Sequence, residues 1–91
     1  MACRSTRVTR RFVAAGAGLV GTDAFNVDSS ATGTTHAHEI LLGADVLIVE
    51  NLANLTDLAR SVTGHTVRCA FVPLRLAGID GSPIRAFAWT E

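Results

Sequence analysis

The first half of the chain alternates between short apolar segments and polar or glycine-containing stretches. Periodic apolar positions over residues 6–15 predict a helix, and the apolar residues 19–22 predict a short strand. A polar loop follows over residues 23–35. The apolar, β-branched run over residues 46–49 is typical of a strand that is buried on both faces.

A second short helix is predicted around His38, between the polar loop and the strand at residues 46–49. Thr34 and Thr35 are candidate N-caps, residues 40–42 are apolar, and Gly43 is a candidate for the end of the helix. A helix followed by a tight turn and a strand can fold back on itself. His38 and Glu50, twelve residues apart, are therefore predicted to meet in space.

The second half of the chain predicts one more helix and a hairpin. Asn54 is a candidate N-cap, with Asp57 three residues later, for a helix that continues through Arg60. Two strands at residues 67–76 and 84–90 are joined by a segment that contains Asp80-Gly81, a strong turn signal. The predicted fold class is α/β, with a mixed sheet, short helices and a C-terminal antiparallel β-hairpin.

Glu50 is the residue whose chemistry most needs an explanation. A carboxylate at the end of a buried strand is costly to desolvate unless it is paired, hydrogen-bonded or bound to a cation. His38 and Glu50 offer an imidazole nitrogen and a carboxylate oxygen, which together suit zinc or manganese. The alternative is that His38 is an ordinary helix-start histidine and that Glu50 accepts backbone hydrogen bonds. Spacing alone favours this alternative, because two ligands are too few for a metal site.

Composition and charge exclude several classes of function. Eight arginines balance eight acidic residues and there is no lysine, so nothing indicates nucleic-acid binding. No apolar run reaches the ~18 residues of a membrane span. A chain of this length buries only about 60–65% of its unfolded surface, yet hydrophobic residues make up 48% of it. Some apolar surface is therefore expected to meet a second copy of the chain or an absent N-terminal half.

The cysteines indicate a reduced, cytoplasmic chain. Cys3 and Cys69 are only two cysteines and are not closely spaced, so they indicate neither a disulfide framework nor a thiolate metal site. Cys69 lies in a predicted strand and is predicted to be a small core residue.

The N-terminal arginines allow a second interpretation of the first twenty residues. Four arginines precede the small and apolar run at residues 12–20, as in the n-region and h-region of an export signal. Gly16 and Gly18 weaken that apolar run, so the helix and strand described above are the preferred interpretation. Residues 1–8 are predicted to form a disordered N-terminus.

Three groups of segments together carry a family resemblance. They are residues 19–24 with 27–28 (LVGTDA and VD), residues 37–52, and residues 72–76 with 80–85 (VPLRL and DGSPIR). In this order and approximate spacing, from about residue 9 onward, the chain resembles the C-terminal part of the cyclase family, which includes the bacterial kynurenine formamidases. One departure is Ala24-Phe25-Asn26, where the family usually has Ala-Pro-Ser or Thr-Pro-Ser.

The resemblance implies that residues 9–91 are the C-terminal portion of a metal-dependent, typically dimeric hydrolase domain. It implies that His38 and Glu50 match the two C-terminal metal ligands, for zinc or manganese, and that the substrate is a small formamide or amide. The family reaction is hydrolysis of N-formylkynurenine to kynurenine and formate, in tryptophan breakdown. The other ligands and the catalytic histidine belong to an N-terminal motif, His-x-Gly-Thr-His-x-Asp-x-Pro. That motif is absent here, and neither His36 nor His65 has its neighbourhood.

Three hypotheses follow for the function. The preferred one is a truncated hydrolase that is inactive alone, with no catalytic residue of its own. The second is a non-catalytic interaction or oligomerising module derived from that family. The third is that two chains, or this chain and a separate N-terminal half, assemble a working site.

Overall fold

The computed structural model describes residues 2–28 and 35–91, and within the first helix it describes side chains from Arg7 onward. It confirms the predicted class, with short helices, one parallel strand pair and a C-terminal antiparallel hairpin. The elements are α1 (Ala2–Ala14), β1 (Leu19–Gly21), α2 (His36–Gly43), β2 (Leu47–Val49), α3 (Leu55–Ser61), β3 (Val67–Pro73) and β4 (Ile84–Thr90). None of the helices in this described part of the chain is both long and apolar enough to cross a membrane.

The chain divides into two compact units, Met1–Ala53 and Asn54–Glu91, which we call the N-terminal unit and the C-terminal unit. The proposed division into a disordered segment at 1–8 and one family domain at 9–91 stays a prediction. The first helix begins at Ala2, earlier than the predicted residue 6. Thr34, one of the two candidate N-caps of the second helix, lies outside the described residues.

The N-terminal unit is built from α1, α2 and the parallel pair of β1 and β2. Leu19 pairs with Leu47 and Gly21 with Val49, while α2 packs against both α1 and β2. Among the described residues the fully buried apolar side chains are Ala37, Leu41 and Val46. Since two of these three belong to α2 and the third directly precedes β2, the helix that carries His38 is the centre of this small core.

The connection from α2 to β2 is a tight turn, as predicted, and it contains one left-handed residue. Helix α2 ends at Gly43, and the residue with positive φ is Asp45, at 59°. The Val46 N–H then donates to the Leu41 carbonyl at 2.8 Å. Asp and Asn tolerate this conformation better than other non-glycine residues. The turn therefore returns the chain along α2 and starts β2 beside it.

Strand β2 is not buried on both faces, which corrects the prediction from its composition. Leu47 is 63% exposed, and Ile48 and Val49 are half-buried. The physical reason is that this unit has a two-stranded sheet with α2 packed against β2, and one packed layer leaves the other face open.

The C-terminal unit contains α3 and the hairpin. The backbone carbonyl of Asn54 accepts from the Leu58 N–H, but Asn54 has φ 63° and its side chain makes no capping hydrogen bond. The predicted helix is confirmed, whereas the predicted side-chain cap is wrong. A left-handed residue directs its side chain away from the position that a capping residue with extended backbone would use.

The hairpin has the predicted antiparallel pairing but a longer connection. Val67 pairs with Thr90 and Pro73 with Ile84. Strand β3 ends at Pro73 rather than at residue 76, because the loop that follows turns early. The Leu76 N–H donates to the Leu74 carbonyl, and the glycine with positive φ is Gly78 rather than Gly81. The Asp80-Gly81 pair lies within this longer connection, and neither of its residues has a positive φ.

The hairpin leaves most of its apolar side chains exposed. On one face Phe87 and Trp89 stack with ring centroids 5.8 Å apart, and they are 49% and 46% exposed. Val72 shares this face and is also exposed. On the opposite face Cys69 is exposed, so the prediction of a core cysteine is wrong. No residue of this unit is fully buried, because a two-stranded sheet has no second layer to cover it.

Candidate functional site

Glu50 is positioned by backbone pairing that continues beyond the two short strands. The Thr22 N–H donates to the Val49 carbonyl, and the Leu52 N–H donates to the Thr22 carbonyl. Between them Asn51 adopts a positive φ of 59° and donates its N–H to the Ala24 carbonyl at 3.0 Å. The chain after β2 thus runs beside the chain after β1. As a result Glu50 Oε2 accepts a hydrogen bond from the Val27 N–H at 3.1 Å.

His38 is positioned by the first turn of α2. Thr35 is the N-cap residue, but its side chain makes no capping hydrogen bond. Its hydroxyl instead donates to Glu39 Oε1 at 2.9 Å. The first amides of α2 therefore need another acceptor, since they have no partner within the helix.

Asp28 supplies that acceptor. Its Oδ1 accepts from the Ala37 N–H at 2.7 Å and its Oδ2 accepts from the His38 N–H at 3.0 Å. Asn26 in turn holds Asp28, because the Asn26 Oδ1 accepts from the Asp28 N–H at 2.8 Å. This is an Asx-turn, in which an asparagine side chain accepts from the backbone N–H two residues later. The polar loop is thereby attached to the start of α2.

Asp28 also contacts the ring of His38. His38 Nδ1 lies 2.7 Å from Asp28 Oδ2, and the Asp28 side chain is 3% exposed. Burial by itself would raise the pKa of Asp28. The hydrogen bonds from the Ala37 and His38 amides and from the His38 ring, together with the charge that the ring can carry, outweigh burial and hold the pKa of Asp28 below its usual 3.8. Asp28 is therefore an ionised acceptor at neutral pH.

The second ring nitrogen of His38 faces Glu50, as the sequence predicted. His38 Nε2 lies 3.7 Å from Glu50 Oε2, and both side chains remain partly accessible, at 33% and 29% exposed. With Nδ1 donating to Asp28, a neutral His38 ring has its lone pair on Nε2. Two acceptors thus face each other. Such a pair is favourable only if a proton or another cation lies between them or beside them.

The distance between His38 Nε2 and Glu50 Oε2 is suitable for two ligand atoms bound to the same metal ion. Two ligands bound to zinc at about 2.0–2.2 Å in tetrahedral geometry are about 3.4 Å apart. The observed distance of 3.7 Å is close to this value. Within residues 2–28 and 35–91, however, no group of three or more His, Cys, Asp or Glu side chains is arranged to hold a metal. The described part of the chain therefore offers two candidate ligands rather than a complete site.

Sequence reasoning did not assign Asp28 a role at this site. Asp23 is exposed, and so is His36 at the start of α2. In the C-terminal unit His65 is exposed, and Ser82 accepts from the Leu74 N–H at 2.9 Å, which agrees with a role in loop geometry. The signal for Asp28 was present, because it belongs to the Val27-Asp28 pair in the resembling segments.

Comparison with known proteins adds a family to this geometry. A kynurenine formamidase from Sphingopyxis alaskensis is 39% identical over 79 residues, which cover 87% of this chain and 35% of that protein. A kynurenine formamidase from Bordetella petrii is 34% identical over 68 residues, which cover 75% of this chain and 30% of that protein. This chain belongs to the kynurenine formamidase family.

The match to these formamidases is partial on their side. The chain spans about a third of the length of the curated relatives it matches. No protein-family model and no solved structure matches the chain. Membership therefore rests on the aligned formamidase sequences, which extend over most of this chain.

Proposed function

We propose that this chain contributes two ligands, His38 and Glu50, to the metal centre of a hydrolase that acts on formamides or other linear amides. The substrate we propose is N-formylkynurenine, cleaved to kynurenine and formate. The observation that carries the proposal is the approach of His38 Nε2 to Glu50 Oε2 at 3.7 Å on a family member. Imidazole and carboxylate together suit zinc or manganese.

Each residue of the site has a defined task in this proposal. Glu50 supplies negative charge, and the Val27 N–H fixes its Oε2. His38 supplies a neutral nitrogen donor from the first turn of α2. Their partial exposure leaves room for a cation and for further ligands from outside the described residues. The chemistry that a divalent cation supplies in such a site is a nucleophile made from water, by lowering the pKa of the water.

We infer that the chain alone is inactive. Two ligands hold a divalent cation weakly, since protein zinc sites use three or four. Hydrolysis also needs a group within hydrogen-bond reach of the proton to be transferred. Among the described residues, the histidine at the site is engaged by Asp28 through one nitrogen and directs the other toward Glu50. The remaining ligands and the base must come from another segment or another chain. The cytoplasmic location stays a prediction from the cysteine usage.

Titration calorimetry with zinc and with manganese tests this proposal. We expect measurable binding to the chain that is lost in both His38→Ala and Glu50→Ala. His65→Ala is the matched control, because it removes an exposed histidine of the other unit and should leave binding unchanged. Binding that survives both site substitutions would contradict the assignment of these ligands.

The hairpin favours a second candidate function, a non-catalytic module that associates with itself. Val72, Phe87 and Trp89 share one face of the hairpin and are each about half exposed. Exposed apolar groups of this kind often mark interfaces. Sedimentation at increasing protein concentration should then show a defined oligomer. A soluble monomer at all concentrations would contradict this candidate, without bearing on the metal ligands.

A further inference from the structure

The loop before α2 holds both proposed ligands through neighbouring residues. The Val27 N–H donates to Glu50 Oε2 at 3.1 Å, and the next residue, Asp28, contacts Nδ1 of His38 at 2.7 Å. Asp28 also accepts from the His38 backbone N–H. The Asp28 carboxylate therefore contacts both the backbone and the ring of His38, while the preceding residue, Val27, donates to Glu50.

We propose that Asp28 is a positioning residue for the metal site, which fixes the Nδ1–H tautomer and the ring orientation of His38 so that the lone pair of Nε2 faces Glu50. This inference rests on the proposed function and deepens it. Asp28 is not itself placed as a ligand, because its Oδ2 contacts Nδ1, the ring nitrogen other than the one that faces Glu50.

The hydrogen-bond directions follow from the donors around Asp28. The amides of Ala37 and His38 can only donate, so both carboxylate oxygens act as acceptors. Nδ1 of His38 approaches the same oxygen at 2.7 Å, a length typical of a charge-assisted bond. Nδ1 therefore carries the hydrogen. In a neutral imidazole the other nitrogen is then the acceptor and the site for a metal.

The local sequence makes this arrangement rigid. Asn26 Oδ1 accepts from the Asp28 N–H, which restrains the backbone of residues 26–28. The Asp28 side chain is 3% exposed, so water does not compete effectively for its oxygens. A carboxylate that orients a ligating histidine commonly changes metal affinity by about 10–100-fold when it is removed.

Asp28→Asn tests the proposal with little change in shape. An amide has one acceptor oxygen and one NH₂ group, so it cannot accept from all three N–H groups that surround Asp28. Asp45→Asn is the matched control, because Asp45 is exposed and has a positive φ that asparagine also tolerates. The probe is the ¹⁵N chemical shift of the His38 ring nitrogens, followed first without metal and then during titration with zinc chloride.

The expected result has two parts. Without metal, wild type and Asp45→Asn show the Nδ1–H tautomer of His38, and Asp28→Asn shows an increased Nε2–H population. During titration, zinc perturbs Nε2 of His38 in wild type, and its dissociation constant rises about tenfold or more in Asp28→Asn. The ring signals of the exposed His36, two residues away, should be the same in all three proteins.

Two results separate this inference from the proposed function. An unchanged His38 tautomer in Asp28→Asn, with folded amide signals for α2, would overturn the role of Asp28 whatever the metal does. A wild-type chain in which zinc leaves Nε2 of His38 unperturbed would contradict the proposed metal site, and the metal-free tautomer would still decide whether Asp28 orients the ring. If Asp28→Asn does not fold, Asn26→Ala, which removes the acceptor for the Asp28 amide, is expected to weaken the tautomer preference in a smaller step.

Discussion

The N-terminal and C-terminal units of this chain differ in how far they bury their side chains. Among the described residues of the N-terminal unit, three apolar side chains are buried, and one buried carboxylate, Asp28, accepts a hydrogen bond from the start of α2. In the C-terminal unit seven paired residues on each strand form a regular hairpin, but none of its side chains is fully buried. Regular strand pairing therefore does not by itself produce a buried core. The proposed site lies in the unit that has the core, where side chains can be held in fixed positions.

The largest expected effect is a cavity in the N-terminal unit. Leu41→Ala should lower the free energy of unfolding by about 2–5 kcal/mol, because it removes a fully buried side chain from α2. Leu42→Ala is the control, since Leu42 is 56% exposed and should change stability by no more than about 0.5 kcal/mol. Hydrogen exchange of the α2 and β2 amides measures both variants. Equal effects at the two positions would mean that this unit has no fixed core.

The next effect concerns the buried carboxylate and depends on pH. Asp28→Asn should destabilise the N-terminal unit by about 1.5–3 kcal/mol at neutral pH, the usual range for hydrogen bonds to a charged group. The folded-state pKa of Asp28 is lowered, so its stabilisation is complete above the unfolded value of 3.8 and is lost as the pH falls through the folded value.

Urea unfolding of wild type and Asp28→Asn, from neutral pH down through pH 3.8, checks this prediction. The difference in free energy between the two proteins should be constant near neutrality and shrink at the acid end. A difference that grows on acidification would contradict the stated direction of the pKa.

A smaller effect is expected on the exposed hairpin. Phe87→Ala removes a stacked pair with Trp89, which is worth about 0.5–1.5 kcal/mol beyond the area it buries. Leu74→Ala, at an exposed loop position, is the control and should be near neutral. Hydrogen exchange of the β3 and β4 amides reports the change. A loss of about 3–5 kcal/mol at Phe87, as for a buried phenylalanine, would show that another surface covers this face in solution.

The smallest effect concerns Thr35, which the sequence suggested as the N-cap of α2. In the structure Asp28, not the Thr35 side chain, accepts from the first amides of that helix. Thr35→Ala removes only an exposed contact with Glu39 and should cost less than about 0.5 kcal/mol. A threonine that truly capped α2 would cost about 0.5–2 kcal/mol. Thermal unfolding followed by circular dichroism is sufficient here. A loss in the higher range would mean that Thr35 shares the work assigned to Asp28.

The sequence predicted the local elements well because local physics determines them. Apolar periodicity and turn residues indicated α2, β2, α3 and the hairpin close to their observed bounds. The approach of His38 to Glu50 followed from a helix, a tight turn and a strand in succession, which leaves few paths for the chain. The family resemblance is also a property of the sequence, and the formamidase relatives confirm it.

Only the tertiary structure decided which groups are covered and which carboxylate grips His38. Leucine and cysteine are residue types that are common in protein cores, yet Leu47 and Cys69 are both exposed. Burial depends on whether a second layer packs against the strand. Asp28 lies ten residues before His38, and nothing in local propensity pairs an aspartate in a loop with a ring in a later helix. That pairing exists because loop closure brings an unsatisfied helix start to a buried acceptor, and only the folded chain contains both.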